Sequence, residues 1–426
     1  MVGRRKLLST LGGAALGAGA LAGCGSNTGR GGTDSGGGPT LEHWYHQYGE
    51  PGVEQAVQRY ADDYPKAHVR IQWRPGNYDQ QTAAALLTSS GPDVFEVNGP
   101  TIEMIQGGRV ADLTALLEGN GVRADFDPAA LEPKIWEGRV WGIPQAIDTQ
   151  VLYYRKSMLR RAGVRPPRTL DELLDAAQEL TTKDVKGLFL GNDGGAGVLS
   201  QTPLNAAGLE FVTKDGEVGF DDPAAARALG KLRRPYEDGS LLLGAPSDWA
   251  DPAAFTQGLT AMQWSGLWAL PMVRKALGGD FGVLPFPADG KQGRPAVPVG
   301  AYAAAVAQSS PHREAAKAYM RWLWVEHAEH QRDFALSYGF HLPARRSLAR
   351  HAKPLQEGEA ARAAEYARAY GKAEPLLWTN ASRTAYQDAL SRIIKDGADP
   401  DREVRAVVRK VRTELARVRN RAGRGK

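Results

Sequence analysis

The side chains with most chemistry to offer in this chain of 426 residues are one cysteine, eight histidines and ten tryptophans. Cys24 is the only thiol, so no disulfide forms within the chain and stability has to come from packing. The motifs of nucleophilic and phosphate chemistry are missing. There is no P-loop, no H-E-x-x-H and no G-x-S-x-G; the nearest serine, in Gln263-Trp264-Ser265-Gly266, lacks the first glycine. Gly191-Asn192-Asp193-Gly194-Gly195-Ala196-Gly197 fits neither dinucleotide nor calcium-loop spacing, and reads as a flexible strand-to-helix loop or a ligand contact. His327 and His330 share a helix face as a metal pair would. Glu326, Glu329 and Arg332 beside them make it a solvated face instead, and no metal or cofactor is expected. What remains is aromatic. Trp44, Tyr45 and His46 close a first strand, Trp264 and Trp268 flank a Ser-Gly turn, and Trp378 lies in a late loop. Sugars have polar edges and apolar faces of C–H groups, so a site for them needs flat aromatic platforms plus a few carboxylates or amides. Each of these aromatics equally fits a core position.

The elements that must position them alternate between strand and helix. Leu41 to Tyr45 reads as a strand, and the next helix, over Pro51 to Tyr60, puts Val53, Ala56, Val57 and Tyr60 on one face. Val69-Arg70-Ile71-Gln72-Trp73 alternates as a half-buried strand does; Val94 to Val97, Val151 to Tyr154, Phe281 to Leu284 and Ala303 to Val306 read as further strands. Thr169-Leu170-Asp171-Glu172 is a capping box, opening a helix that buries Leu173, Leu174, Ala177 and Leu180. Asp222-Pro223, Asp251-Pro252 and Ser310-Pro311 each set a capping side chain before a proline. A last helix carries Val404, Val407, Val408, Val411, Leu415 and Val418 on one face among many arginines. The pattern predicts an α/β fold of mostly parallel sheets flanked by helices, with ligands in a crevice at the strand carboxyl ends. A chain this long exceeds what one core covers, so two lobes are expected.

The N-terminus is of another kind. Arg4, Arg5 and Lys6 precede an uncharged Gly/Ala-rich run from Leu7 to Ala22, the marks of an export signal. Leu21-Ala22-Gly23-Cys24 resembles the lipobox of bacterial lipoproteins, which implies a cut before Cys24 and a lipid on its sulfur. Arg4-Arg5-Lys6-Leu7-Leu8 also resembles a twin-arginine export signal. Residues 1–23 are then a signal peptide, and 24–39 a lipidated cysteine with a Gly/Ser-rich tether, holding the protein at the outer face of the cell membrane. Loss of Arg4, Arg5 and Lys6 leaves 50 basic against 48 acidic side chains, a balance of +2, and nothing in it calls for a nucleic-acid partner.

Several blocks, in order over residues 40 to 415, resemble the extracellular solute-binding proteins of ABC importers, in the carbohydrate-binding, maltose-binding-protein-like group. They are Leu41-Glu42-His43-Trp44-Tyr45, Ser90-Gly91-Pro92-Asp93-Val94-Phe95, Gly107 to Leu113 and Gly142-Ile143-Pro144. Leu152-Tyr153-Tyr154-Arg155-Lys156, Pro166-Pro167-Arg168-Thr169, Phe255 to Trp268 and Leu342-Pro343-Ala344-Arg345 continue the order. Arg155 stands where the family usually has asparagine.

The resemblance implies two lobes with a ligand cleft between them, 40–147 plus 297–338 in one and 148–296 plus 339–426 in the other. The expected product is a monomeric receptor, without catalysis, that passes a sugar or oligosaccharide to an ABC permease. The resemblance implies Trp268 as the stacking platform and Asp148 as a carboxylate for sugar hydroxyls. His46, Gln47, Asn98, Asn192 and Asp193 are further cleft candidates, with Tyr45, Tyr302, Trp378 and Arg345 behind them. Polyamine, glycerophosphodiester and peptide ligands remain alternatives. A glycosidase would need a second acid beside Asp148, and the sequence shows none.

Overall fold

The computed structural model describes residues 38–119 and 121–424, so Cys24, the export signal and most of the tether lie outside the described residues. The first lobe is built on β1 (Thr40–His46), β2 (His68–Arg74), β3 (Val94–Val97) and β4 (Ile143–Pro144). The chain then enters β5 (Ala146–Tyr154), the long strand of the second lobe, followed by β6 (Lys186–Phe189), β7 (Thr260–Gly266), β8 (Gly282–Leu284) and β9 (Val297–Gly300). It returns to the first lobe as β10 (Ala303–Val306) and crosses again through β11 (Leu342–Pro343) and β12 (Gly371–Ala373). The first sheet has the order β2-β1-β3-β10-β4, the second β12-β9-β5-β7-β6, with β8 and β11 also on β5.

The sheets are mixed rather than mostly parallel. β1 runs parallel to β2 and β3, but β10 is antiparallel to β3 and β4, and β5 is antiparallel to β7, β8, β9 and β11. A strand–helix–strand crossover enforces parallel pairing only while the chain stays in one sheet. Strands that re-enter after a visit to the other lobe are free of that rule. β5 and β9 are the crossings. Ala146, Ile147 and Val299 pack in the first lobe's core, while Leu152 and Tyr154 pack in the second's. A division at 147/148 therefore falls inside β5, and β9 belongs to the second sheet.

Local signals became local structure. The helix α1 (Val53–Asp62) buries Val53, Ala56, Val57 and Tyr60. Thr169 caps α2 (Leu170–Leu180) by accepting from the Glu172 amide at 3.2 Å, and the Glu172 carboxylate accepts in return from the Arg168 amide at 2.7 Å. Asp222 accepts from the Ala224 amide ahead of a helix starting at Pro223. The last helix, α3 (Pro400–Arg424), buries Val404, Val407, Val408, Val411, Leu415 and Val418, each contributing about 1.5–3 kcal/mol. His327 and His330 are half-buried, their rings stacked at 3.7 Å and packed on Trp322, rather than spread on a solvated face.

Candidate ligand-binding site

Glycine places the indole. A Cβ on Gly266, the last residue of β7, would fall 2.2 Å from the ring of Trp268, so only glycine lets the ring lie across that backbone. On the other side a Cβ on Gly339 would sit 3.2 Å from the Trp268 Cβ and 2.9 Å from the Glu50 side chain. Trp268 Nε1 donates to the Ala250 carbonyl at 3.1 Å, and Trp249 meets the ring edge-on at 5.7 Å. The indole is thus held by its edges and half exposed.

Beneath Trp268 lies His341, their rings near-parallel at 21° with centroids 6.3 Å apart. His341 Nδ1 meets the Asp148 carboxylate at 2.5 Å, and its Nε2 meets Glu50 at 3.2 Å. Burial alone would lower the imidazole pKa, but the charges and hydrogen bonds of Asp148 and Glu50 outweigh it and raise the pKa to about 10. His341 is therefore an imidazolium at neutral pH, donating from both nitrogens. Burial raises the Glu50 pKa and the His341 bond lowers it, for a net fall. The second acid that the sequence left unseen is Glu50, and both carboxylates hold the same imidazolium.

The first lobe's wall forms at the end of β1. The rings of His46 and Tyr302 stack at 4.2 Å, His46 Nδ1 meets Glu96 at 2.8 Å, and Tyr48 donates to Glu96 at 2.7 Å. Burial works to lower the His46 pKa, and Glu96 overcomes it and raises it. His46, Gln47 and Tyr302 line a cavity of about 290 Å³ together with Asn77, Tyr78 and Asp79. Asn98, at the end of β3, is exposed, and its Oδ1 lies 3.7 Å from where a Cβ on Gly300 would be. Lys134 stands against the same turn: a Cβ on Gly99 would lie 2.9 Å from its Nζ. Burial lowers its pKa to about 8 against the pull of Glu374 and Asp148.

The other candidates are placed differently. Asp193 closes its own glycine-rich loop, accepting from the amides of Gly195 and Gly197 at 2.9 and 2.7 Å. The Asn192 side chain bonds the Ala245 backbone in both directions, and the Asn192 backbone N–H donates to Asp248. These residues brace the 245–250 loop that in turn holds Trp268. Three others are core or bracing residues in the structure. Tyr45 is fully buried in the first lobe's core, because β1 is covered on both faces. Trp378 is buried in the second lobe's core, stacked on Phe211 at 3.7 Å. Arg345 braces the first lobe, donating to Asp125 at 2.8 Å and to the Val325 carbonyl. Sequence reasoning missed Glu50, His341 and Lys134. His341 lies directly before the Leu342-Pro343-Ala344-Arg345 block, which was the one signal available for it.

A sequence profile of the bacterial extracellular solute-binding protein family matches residues 48–324. The chain belongs to that family. It is 24% identical over 278 residues to the sn-glycerol-3-phosphate-binding periplasmic protein UgpB of Escherichia coli (strain K12). That match takes in 59% of this chain and 62% of UgpB, so it spans less than two thirds of the relative's length. Among solved structures, the GacH receptor of Streptomyces glaucescens, determined unliganded and with acarbose, superimposes with a TM-score of 0.75 at 23% identity, over 88% of this chain and 98% of the receptor. An ABC transporter solute-binding protein of Thermotoga lettingae bound with α-D-tagatose gives 0.74 at 20% identity, over 88% and 99%. The sugar-binding protein MalE of Xanthomonas citri gives 0.72 at 21%, over 89% and 98%. The family's two-lobed fold is therefore that of this chain. The matched family and these relatives are binding proteins.

Proposed function

We propose that this solute-binding protein captures a sugar or oligosaccharide between its lobes and delivers it to the permease of an ABC importer, held at the outer face of the cell membrane by a lipid on Cys24. The observation that carries the reading is Trp268, seated on Gly266 and set above the Asp148–His341–Glu50 network. It offers a flat apolar platform beside carboxylate oxygens, the pairing that a sugar's C–H face and hydroxyl edge require. A ligand that touches both lobes at once binds the closed arrangement better than the open one, and so shifts the population toward it. The bound sugars of the GacH and Thermotoga lettingae proteins support this reading; UgpB supports a glycerol phosphate as the competitor.

The test is a thermal-shift screen with mono- and oligosaccharides, sn-glycerol-3-phosphate and spermidine, followed by calorimetry. A ligand at 100 times its dissociation constant adds about 2.7 kcal/mol to stability. One sugar class is expected to raise the melt and to be recovered intact. Trp268→Ala should weaken it about 10- to 100-fold, the range of a binding hot spot. Response to sn-glycerol-3-phosphate alone would replace the sugar, and a cleaved sugar would replace the receptor reading.

A further inference from the structure

We infer that Lys134 is a ligand-contacting donor at the floor of the cleft, reserved for an oxygen of the bound solute, an assignment that rests on the receptor reading above. Lys134 is 3% exposed, yet no hydrogen bond or ion pair joins its ammonium to any described residue. Lys134 is the one lysine among the described residues that is fully buried; of the half-buried ones, Lys156 is paired with Glu359, Lys186 with the Gly239 carbonyl and Lys231 with Asp171 and Asp289. The acids whose charges reach Lys134 are Asp148, at the start of β5, and Glu374, just after β12. Both are committed to nearer cations, Asp148 to His341 at 2.5 Å and Glu374 to Arg383 at 2.5 and 2.9 Å. The ammonium stands over Gly99, directly after Asn98 at the carboxyl end of β3, where the crevice of such a sheet opens.

A second buried side chain is also without a partner. Gln145 is 2% exposed, and neither its Oε1 nor its Nε2 has a partner. Its backbone amide donates to the Tyr302 carbonyl at 2.9 Å, which fixes it beside the His46–Tyr302 wall. Native structures leave few buried polar groups unpaired, because each gives up its hydration for nothing. The buried Gln145 amide and the unpartnered Lys134 ammonium are the groups whose hydrogen bonds a bound molecule would complete. An ammonium has three donors and no acceptor, so its partner is an oxygen acceptor and never another amine. The Gln145 amide both donates and accepts, which matches a hydroxyl. The solute class is therefore an oxygen-rich one, a neutral sugar or an anionic polyol, and the test separates the two.

The experiment compares the whole protein with Lys134→Met and Lys134→Gln, first without ligand, then by calorimetry with maltotriose, mannobiose, α-D-tagatose, sn-glycerol-3-phosphate and spermidine. The expected result is an unliganded K134M melt equal to or above wild type, with affinity for the responding probe at least 10-fold weaker and part of that loss restored in K134Q. A loss confined to sn-glycerol-3-phosphate identifies the oxygen as anionic; a loss for the sugars identifies it as a hydroxyl or ring oxygen. A K134M protein that melts several degrees lower, or that binds its probe as wild type does, overturns the assignment and leaves the receptor reading standing. Spermidine as the one responding probe overturns it as well. Wild-type protein that answers to none of these probes overturns the receptor reading and the assignment with it.

Discussion

His341 and Lys134 are both buried cationic side chains at the lobe junction, and the protein treats them in opposite ways. His341 is clamped between Asp148 and Glu50, and its pKa is raised to about 10 in spite of burial. Lys134 feels Asp148 too, but touches no acid, and burial drops its pKa to about 8. The difference lies in the partners. A buried charge with short, well-placed counter-ions is a structural element, and removing it strands the charges around it. A buried charge without them is a standing expense that the fold keeps only if something else meets it. The two residues thus differ in kind: one is held by the protein's own carboxylates, and the other has no partner among the described residues.

The sharpest way to break this comparison is His341→Ala. It leaves Asp148 and Glu50 without the imidazolium between them, the kind of loss that costs about 3–5 kcal/mol at buried pairs. Urea unfolding would show a lower midpoint at unchanged slope. Lys134→Met, which removes a cation without a counter-ion, should not lower stability at all. Equal losses from both variants would mean that both cations are structural and that the division fails.

The pH dependence gives a smaller and more specific signal. The folded pKa of His341, about 10, lies above its unfolded value near 6.5, so the folded state holds the extra proton. Its contribution is complete below about pH 6.5 and disappears as pH rises through about 10. Lys134 has the opposite sign. Its folded pKa, about 8, lies below the unfolded value near 10.5, so its burial destabilises the fold below about pH 8 and is relieved between there and about pH 10.5. Between about pH 6.5 and 8, then, the Lys134 penalty is constant and the pH dependence of this pair comes from His341 alone. Wild type minus His341→Gln should lose about 2 kcal/mol across that window, from about 1.36 kcal/mol per pH unit for one proton. A flat difference curve would mean that the folded state holds no extra proton at this site and that the imidazole is neutral.

Much of the frame was legible because its signals are local. The alternation in Val69 to Trp73, the Thr169–Glu172 box and the valine stripe of α3 depend on residues a few positions apart, and each formed as read. The seat of Trp268 is local too, since the Gly266 on which its ring lies is two residues away. What the sequence hid was set by distance along the chain. Trp378 was read as a loop platform, but its partner is Phe211, far upstream, and the stack closes it into the core. Tyr45 alternates in β1 with Trp44, yet both are buried, because neighbours cover the strand on both faces and no alternation separates core from rim. Lys134, in Glu132-Pro133-Lys134, looks like any surface lysine until Gly99 and Glu374 are brought around it.

The smallest expected effect draws the line between an unpaired group that serves the solute and one that is only tolerated. The Tyr45 hydroxyl is buried without a partner, like the Gln145 amide, but it sits in the first lobe's core, with its ring 4.2 Å from His43 and stacked toward Trp73. No solute reaches it there. Tyr45→Phe removes the oxygen and keeps the ring, so the desolvation penalty goes and the packing stays. Stability should be unchanged or higher by up to about 1 kcal/mol, on the scale of one buried unsatisfied group. Affinity for the sugar that responds in the wild-type screen should stay the same, whereas Lys134→Met weakens it at least 10-fold. A loss of affinity in Tyr45→Phe would show that unpaired groups in the core and at the cleft act alike, and burial without a partner would no longer locate the solute.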